Sequence, residues 1–496
     1  MTFGDMQIAQ GTGCTIARGQ QGSSVGNQGV SKLNISCRRA RTRRRSLTSS
    51  LVAAWAGAMI LAGCSSSGQP KAQSTTTAAS SAGVTKSGHC PTGSAAGATS
   101  SQVTVAATII DITGGSLSNA SVGVPSAKDQ ESDWNLVANK INRSGGAGCR
   151  RIVMSFAPVN PIDIAAAQRA CLDLAAAHPY IVLDSGALTN VGASNCIPAH
   201  HIPLASAYLT QDELKKYAPY YLQIGGTPED AIHNGVLGLN QLGYFSAAKG
   251  FKKLGLVHHD CTPALYSAEQ AALTAAGVPS SKIVTYNLGC PAGQADTNAS
   301  MEQVVLNFKN AGVTDVTEVD LNDFVLFTVI AAQQNYKPQY VLNDTALADI
   351  SKQTGIGAAA GTNYDGAVDV VAGGYGEANT PGFQPNPGTQ QCDALYTAAG
   401  QQPVYRQPDG YGGVVCNYLS FVQDLLDHAS TVQASSLVAA VHAIGAVQFS
   451  FPFAPIDFSA APAGSAYGVS FWRAVYFHAS CQCYQVPDPT FNKPFS

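Results

Sequence analysis

Short apolar runs rich in β-branched residues alternate with helix-length stretches through most of this chain. The runs fall at residues 103–111, 151–156, 180–184, 254–258, 283–288, 315–319 and 340–342. Between them, residues 134–141, 162–177, 231–249, 267–276, 301–311 and 324–335 have the length and composition of helices. A strand that is apolar throughout is buried on both faces, which is the habit of parallel sheets covered by helices. Strands alternating with helices mean βαβ units. The folded part, about 390 residues, exceeds one ordinary core, so two α/β lobes are expected.

Ahead of this region lies an export signal. Arg38, Arg39, Arg41, Arg43, Arg44 and Arg45 precede an apolar run over 47–62. Charged-then-apolar is the order of a secretory signal peptide, and the run is shorter than the roughly 20 residues a spanning helix needs. It ends in Leu61, Ala62, Gly63 and Cys64. Small residues fit a narrow signal-peptidase cleft, and the thiol of Cys64 can carry diacylglycerol. The expectation is an N-terminal extension and signal over 1–63, with Cys64 as the lipidated first residue of the mature chain. Residues 1–37 have no strand or helix periodicity, and the reading preferred for them is a translation start placed too far upstream. From 64 to 101 the chain is Ser, Thr, Ala and Gly with few large apolar residues. Such a stretch cannot offset its own chain entropy, so it is expected to be a disordered tether holding the folded part off the membrane. Cys90 inside it is a candidate for pinning to the body.

Charge and cysteine usage agree with export. Of 28 Lys+Arg, 8 lie in 1–63, against 1 of 31 Asp+Glu; the rest of the chain therefore carries 20 basic and 30 acidic residues. A net charge near −10 argues against nucleic acid as a partner. Cys14 and Cys37 precede cleavage and Cys64 takes lipid, leaving ten of the 13 cysteines. An even number in an oxidising compartment reads as disulfides. Cys261 and Cys290 each follow an expected strand; Cys171 with Cys196 and Cys392 with Cys416 are sequence-near pairs. A metal site is not expected: no CxxC pair occurs, and the CxC of Cys481 and Cys483 has no second half nearby. The pairs His200, His201 and His258, His259 would point to opposite faces of a strand and cannot chelate alone. No GxSxG elbow or other nucleophile–base arrangement stands out, so the chain is not expected to be an enzyme, and no cofactor is implied.

Several ordered segments resemble type I periplasmic solute-binding proteins, the branched-chain amino-acid class that feeds ABC importers. The strand and Gly turn at 103–116 are similar to the family's first strand and ligand-side loop. Residues 139–146, ending in Gly145 and Gly146, resemble its "N-x-x-GG" helix end. Residues 221–230, with Pro228 and Asp230, resemble its first interlobe crossover; 251–260 resemble the strand opening its second lobe. Residues 307–315 are similar to its "LKxAGxD" segment, and 410–428 to its late helix. The resemblance spans about 103–486 and rests on the combination. It implies two parallel-sheet lobes joined by three crossovers: 102–221 with 345–470, and 222–344 with 471–496. It implies a monomer that closes on a small polar solute, an amino acid or related compound, and hands it to ABC permease subunits. A sensor using the same closure to signal to a membrane partner is the other reading.

Ligands of open parallel sheets sit beyond the carboxyl ends of the strands. That points to Ser185 and Gly186 after the third strand, and to Ala205 and Ser206 after residues 202–204. In the resembling family such positions hold a ligand carboxylate; Ser185 and Ser206 could equally serve turn hydrogen bonds. Tyr266 falls near an aromatic contact of the family. Asp323 falls where amino-acid binders set an acid against the ligand amine, and it could also be a helix-start carboxylate. Tyr364 and Tyr375 are candidate wall residues.

Overall fold

A computed structural model of the chain describes residues 89–112, 119, 124–161, 163–188, 192–207, 209–260, 262–289, 294–318, 321–343, 362–363, 365–372, 383–406, 410–450, 454–481 and 483–495. The signal segment, Cys64, Cys261, Cys290, Tyr364 and Tyr375 lie outside the described residues.

The first sheet is five-stranded and parallel, in the order β2-β1-β3-β4-β5. Its strands are β1 (Gln102–Ile110), β2 (Arg151–Val159), β3 (Ile181–Asp184), β4 (Leu204–Ser206) and β5 (Tyr221–Gln223). Residues alternate between its two faces, as a period of two requires. Val103, Val105, Ala107 and Ile109 join a core with Trp134, Val137 and Ile141 of helix α1 (Ala127–Arg143). Ala106 and Val182 face a second core with Ala167, Cys171 and Leu174 of α2 (Ile164–Ala176). Two short helices, α3 (Cys196–Ala199) and α4 (Gln211–Lys216), lead into the last two strands.

The chain then passes to the second lobe. Helix α5 (Pro228–Gln241) starts on a capping box: the Thr227 hydroxyl accepts from the Asp230 amide, and the Asp230 carboxylate accepts from that of Thr227. Next come β6 (Leu254–His258), α6 (Pro263–Ala275), β7 (Ile283–Asn287), α7 (Gln294–Ala311), β8 (Asp315–Glu318), α8 (Leu321–Gln333), β9 (Gln339–Asn343) and β10 (Val368–Val371). β10 pairs parallel with β9. That corrects the expectation that 345–470 belongs wholly to the first lobe: an apolar strand joins the sheet offering it an open edge, and the crossing back comes after residue 371. Helices α9 (Pro387–Ala398), α10 (Tyr411–His428) and α11 (Ala434–Ile444) follow, and they supply Tyr396, Leu419, Phe421 and Leu437 to the core of the first sheet.

A small antiparallel sheet of β11 (Ala446–Val447), β12 (Ile456–Asp457) and β13 (Val469–Ser470) precedes the last crossing. β14 (Arg473–His478) and β15 (Cys483–Gln485) then complete a seven-stranded sheet, β15-β14-β10-β9-β8-β6-β7. The chain thus crosses between sheets three times. The first and last crossings are tied side by side: the amide of Gly226 donates to the Ser470 hydroxyl at 3.2 Å, and that of Gly468 to the Gly225 carbonyl at 2.9 Å. Gly225 has φ +119°, and a Cβ on Gly226 would sit 3.2 Å from the Ser470 hydroxyl, so both positions favour glycine.

Four disulfides lie among the described residues: Cys90–Cys149, Cys171–Cys196, Cys392–Cys416 and Cys481–Cys483. The first corrects the extent of the tether. Residues 89–101 pack on the first lobe rather than ending it loosely. Buried Arg150 donates to the carbonyls of Thr99 at 2.7 Å, Gly148 at 2.9 Å and Pro91 at 2.8 Å. The Thr92 amide donates to Ser430, and the Val432 amide to Thr92. A cross-link and a buried guanidinium supply the fixing that composition lacks.

Candidate functional site

A parallel sheet opens a crevice where its strand order reverses, because successive crossovers there run to opposite sides. In the first sheet that point lies between β1 and β3, which are neighbours although β2 follows β1 in sequence. In the second it lies between β6 and β8, with β7 on the far side of β6.

At the first point the turn after β3 is pinned from three directions. Asp184 is fully buried. Its carboxylate accepts from the Thr108 hydroxyl of β1 at 2.9 Å and from the Leu188 amide at 3.0 Å. Its carbonyl accepts from the Tyr418 hydroxyl of α10 at 2.6 Å. Tyr418 meets the indole of Trp134 edge-on, with ring centroids 6.1 Å apart, and that indole donates to the Tyr411 hydroxyl at 2.9 Å. Gly186, at φ +104°, turns the chain where a side chain would be strained. The fixed turn carries Ser185, whose hydroxyl oxygen is buried without a hydrogen-bond partner. Such an atom costs about 1–3 kcal/mol unless something supplies the bond.

Ser206 ends β4 directly opposite Asp184 in the ladder and is fully buried. Ser185, Gly186 and Ser206 therefore share one sheet edge. Ala205 lies beside them, but its methyl belongs to the core packed against α1 and α10, which leaves only its backbone for a ligand.

At the second point Tyr266 of α6 stacks on His258, the last residue of β6, with centroids 3.8 Å apart and planes 13° apart. The Tyr266 hydroxyl accepts from Gln270 at 2.6 Å. Burial lowers the His258 pKa, against the opposing pull of Asp260. The imidazole is thus biased toward its neutral form. Asp260 accepts from Asn287 of β7 at 2.7 Å. Asp323 is the third residue of α8, across the reversal from His258; its side chain is outside the described part. Among the described residues, no group of three or more His, Cys, Asp or Glu is placed to hold a metal ion.

Sequence reasoning did not find Thr108, Tyr418 or His258 as site residues. Tyr418 lies 234 positions from the carbonyl it holds, and no local pattern encodes such a contact. His258 was visible as half of a histidine pair; the signal that would have found it is its place at a strand end followed by an aromatic helix start.

No protein-family model matches the sequence, and no curated protein matches it. Solved structures do. A fatty acid ABC transporter substrate-binding protein from Thermomonospora curvata is 15% identical, with a TM-score of 0.56 over 81% of this chain and 95% of that one. A leucine-binding protein from Thermotoga maritima is 11% identical, with a TM-score of 0.55 over 79% and 99%. A branched-chain amino acid transporter substrate-binding protein from Streptococcus pneumoniae, in complex with isoleucine, is 14% identical, with a TM-score of 0.52 over 79% and 100%. Two lobes built on mainly parallel sheets, three crossings and these likenesses together give the chain the fold of the type I periplasmic solute-binding proteins.

Proposed function

We propose that the chain is an extracytoplasmic, lipid-anchored receptor that closes its lobes on a small polar solute and delivers it to an ABC importer. The observation carrying this is the orphan hydroxyl of Ser185 at the reversal point of the first sheet. At the reversal point of a parallel sheet, a buried unpaired hydroxyl on a triply pinned turn is a bonding partner open to a guest. The solutes named for the structural neighbours, leucine, isoleucine and a fatty acid, share a carboxylate. A hydroxyl and turn amides at Ser185 and Gly186, with Ser206 alongside, form a donor set suited to that group.

The second lobe would close over the ligand with Tyr266 and, for an amino acid, Asp323 against the amine; Tyr375 is a further wall candidate. Contacts from both lobes stabilise only the closed state, so binding shifts the hinge equilibrium. Gly225, Gly226 and Ser470 stand at the crossings where that motion would be absorbed. Cys64 would hold the monomer to the outer face of the cell membrane, and permease subunits would read the closed form. The solute leaves chemically unchanged, so no catalytic residue is assigned.

The test is a thermal-shift screen of amino acids, amides, short peptides and fatty acids. A true ligand at a hundredfold excess over its dissociation constant adds about 2.7 kcal/mol to stability. A carboxylic acid that raises the midpoint in wild type, and less in Ser185→Ala, supports the reading. A hit that ignores Ser185→Ala removes its main support.

A further inference from the structure

The bond between Cys481 and Cys483 has a sequence separation of 2 and closes the turn between β14 and β15, at the outer edge of the second sheet. A cross-link stabilises mainly by restricting the unfolded chain, and that effect shrinks with the loop it closes. The hairpin is also held without it. Tyr476, Phe477 and His478 pair with Gln485, Tyr484 and Cys483, and the rings of Phe477 and Tyr484 meet edge-on at 5.5 Å. The other described bonds differ. Cys171–Cys196 and Cys392–Cys416 have separations of 25 and 24 with sulfurs in packed cores. Cys90–Cys149 has a separation of 59 and fixes the start of the folded chain.

The two sulfurs are unequal. Cys481 is exposed, whereas Cys483 is 2% exposed. A thiolate arriving from solvent therefore meets Cys481 first. The Cys481 sulfur also lies 3.5 Å from the His478 carbonyl and 3.8 Å from the Cys483 carbonyl. Both oxygens are acceptors for an S–H proton, which only the reduced form carries. His478 stands opposite Cys483 in the ladder, where facing side chains share one side of the sheet.

We propose that Cys481 and Cys483 form a thiol–disulfide exchange site that takes small solvent-borne thiols and is distinct from the solute site. The incoming thiolate attacks the sulfur of Cys481. A bond forms between the two, the Cys481–Cys483 bond breaks, and the electron pair leaves on Cys483, which is then protonated. A second thiol attacks the incoming sulfur and frees Cys481 as a thiol. Two thiols are oxidised to one disulfide while the protein disulfide is reduced to a dithiol.

The experiment treats the full chain with graded dithiothreitol, quenches with N-ethylmaleimide and maps labelled peptides, with circular dichroism on the same samples. Cys481 and Cys483 should label at about tenfold lower reductant than Cys171–Cys196 and Cys392–Cys416, with the spectrum unchanged. Separately, Cys483→Ala exposed to glutathione disulfide should take one glutathionyl group on Cys481, and Cys481→Ala should leave Cys483 unmodified. Opening of all these pairs in one step, together with loss of structure, overturns the proposal. So does preferential adduct formation on Cys483.

Discussion

Glu269 offers a quantitative test of the second lobe. It lies on the buried stripe of α6, in step with Leu265, Ala272 and Leu273, and is fully buried. Neither carboxyl oxygen has a hydrogen-bond partner. Burial alone raises its pKa from an ordinary 4.5 to about 8. Between those values the folded protein keeps a proton that the unfolded chain has lost, so stability falls as pH rises. Below 4.5 both states are protonated and the group costs nothing by this route; above about 8 both are ionised and the penalty levels off. At about 1.4 kcal/mol per pH unit the full interval is worth roughly 4–5 kcal/mol. Replacing the carboxyl by an apolar side chain on an apolar stripe removes that penalty. The advantage of Glu269→Leu over wild type should therefore grow by several kcal/mol between pH 4.5 and pH 8. Glu269→Gln, which keeps the shape without titrating, should lose the same pH slope. The assay is urea unfolding followed by circular dichroism at half-unit pH steps. Parallel stability–pH curves for wild type and Glu269→Leu would show that Glu269 is ionised or partnered in the folded state.

Other consequences follow from the proposed site and the expected signal. Tyr418→Phe removes one hydrogen bond to the Asp184 carbonyl; the loss, about 0.5–1.5 kcal/mol, should weaken solute binding in calorimetric titration more than it changes the spectrum of the fold. Asp323→Ala should weaken an amino-acid ligand by one to two orders of magnitude, since a charge-assisted bond is worth roughly 1.5–3 kcal/mol. Equal affinities would assign Asp323 to its helix start alone. Cys64→Ala should abolish incorporation of labelled palmitate and release the protein from the detergent phase; a mutant that still carries label would refute lipidation there.

The parallel strands were legible because burial on both faces makes them continuous apolar runs, as at 103–111 and 254–258. The observed β1 and β6 fall within a residue of those bounds. The helix at 134–141 was found, but its start at Ser126, which accepts from the Asp129 amide, lay beyond the apolar stripe that signalled it. Strands β11 to β15 went unread. They are short and antiparallel, and partners distant in sequence define them more than their own periodicity does. The carboxyl ends of β3 and β4 were legible as candidate site positions by the rule for parallel sheets. What holds the turn there was not: Thr108 and Tyr418 lie 76 and 234 positions from Asp184. Among the cysteines, Cys171–Cys196 and Cys392–Cys416 were guessed from nearness in sequence and occur. Cys481–Cys483 was weighed only as a metal fragment.

The central claim, a two-lobed receptor that closes on its solute, is tested most directly by small-angle X-ray scattering with and without the best ligand from the thermal-shift screen. The account predicts that the radius of gyration falls on saturation, and that Ser185→Ala needs more ligand for the same contraction. Saturable binding that leaves the radius unchanged, or conversion of the solute to a product, would contradict it.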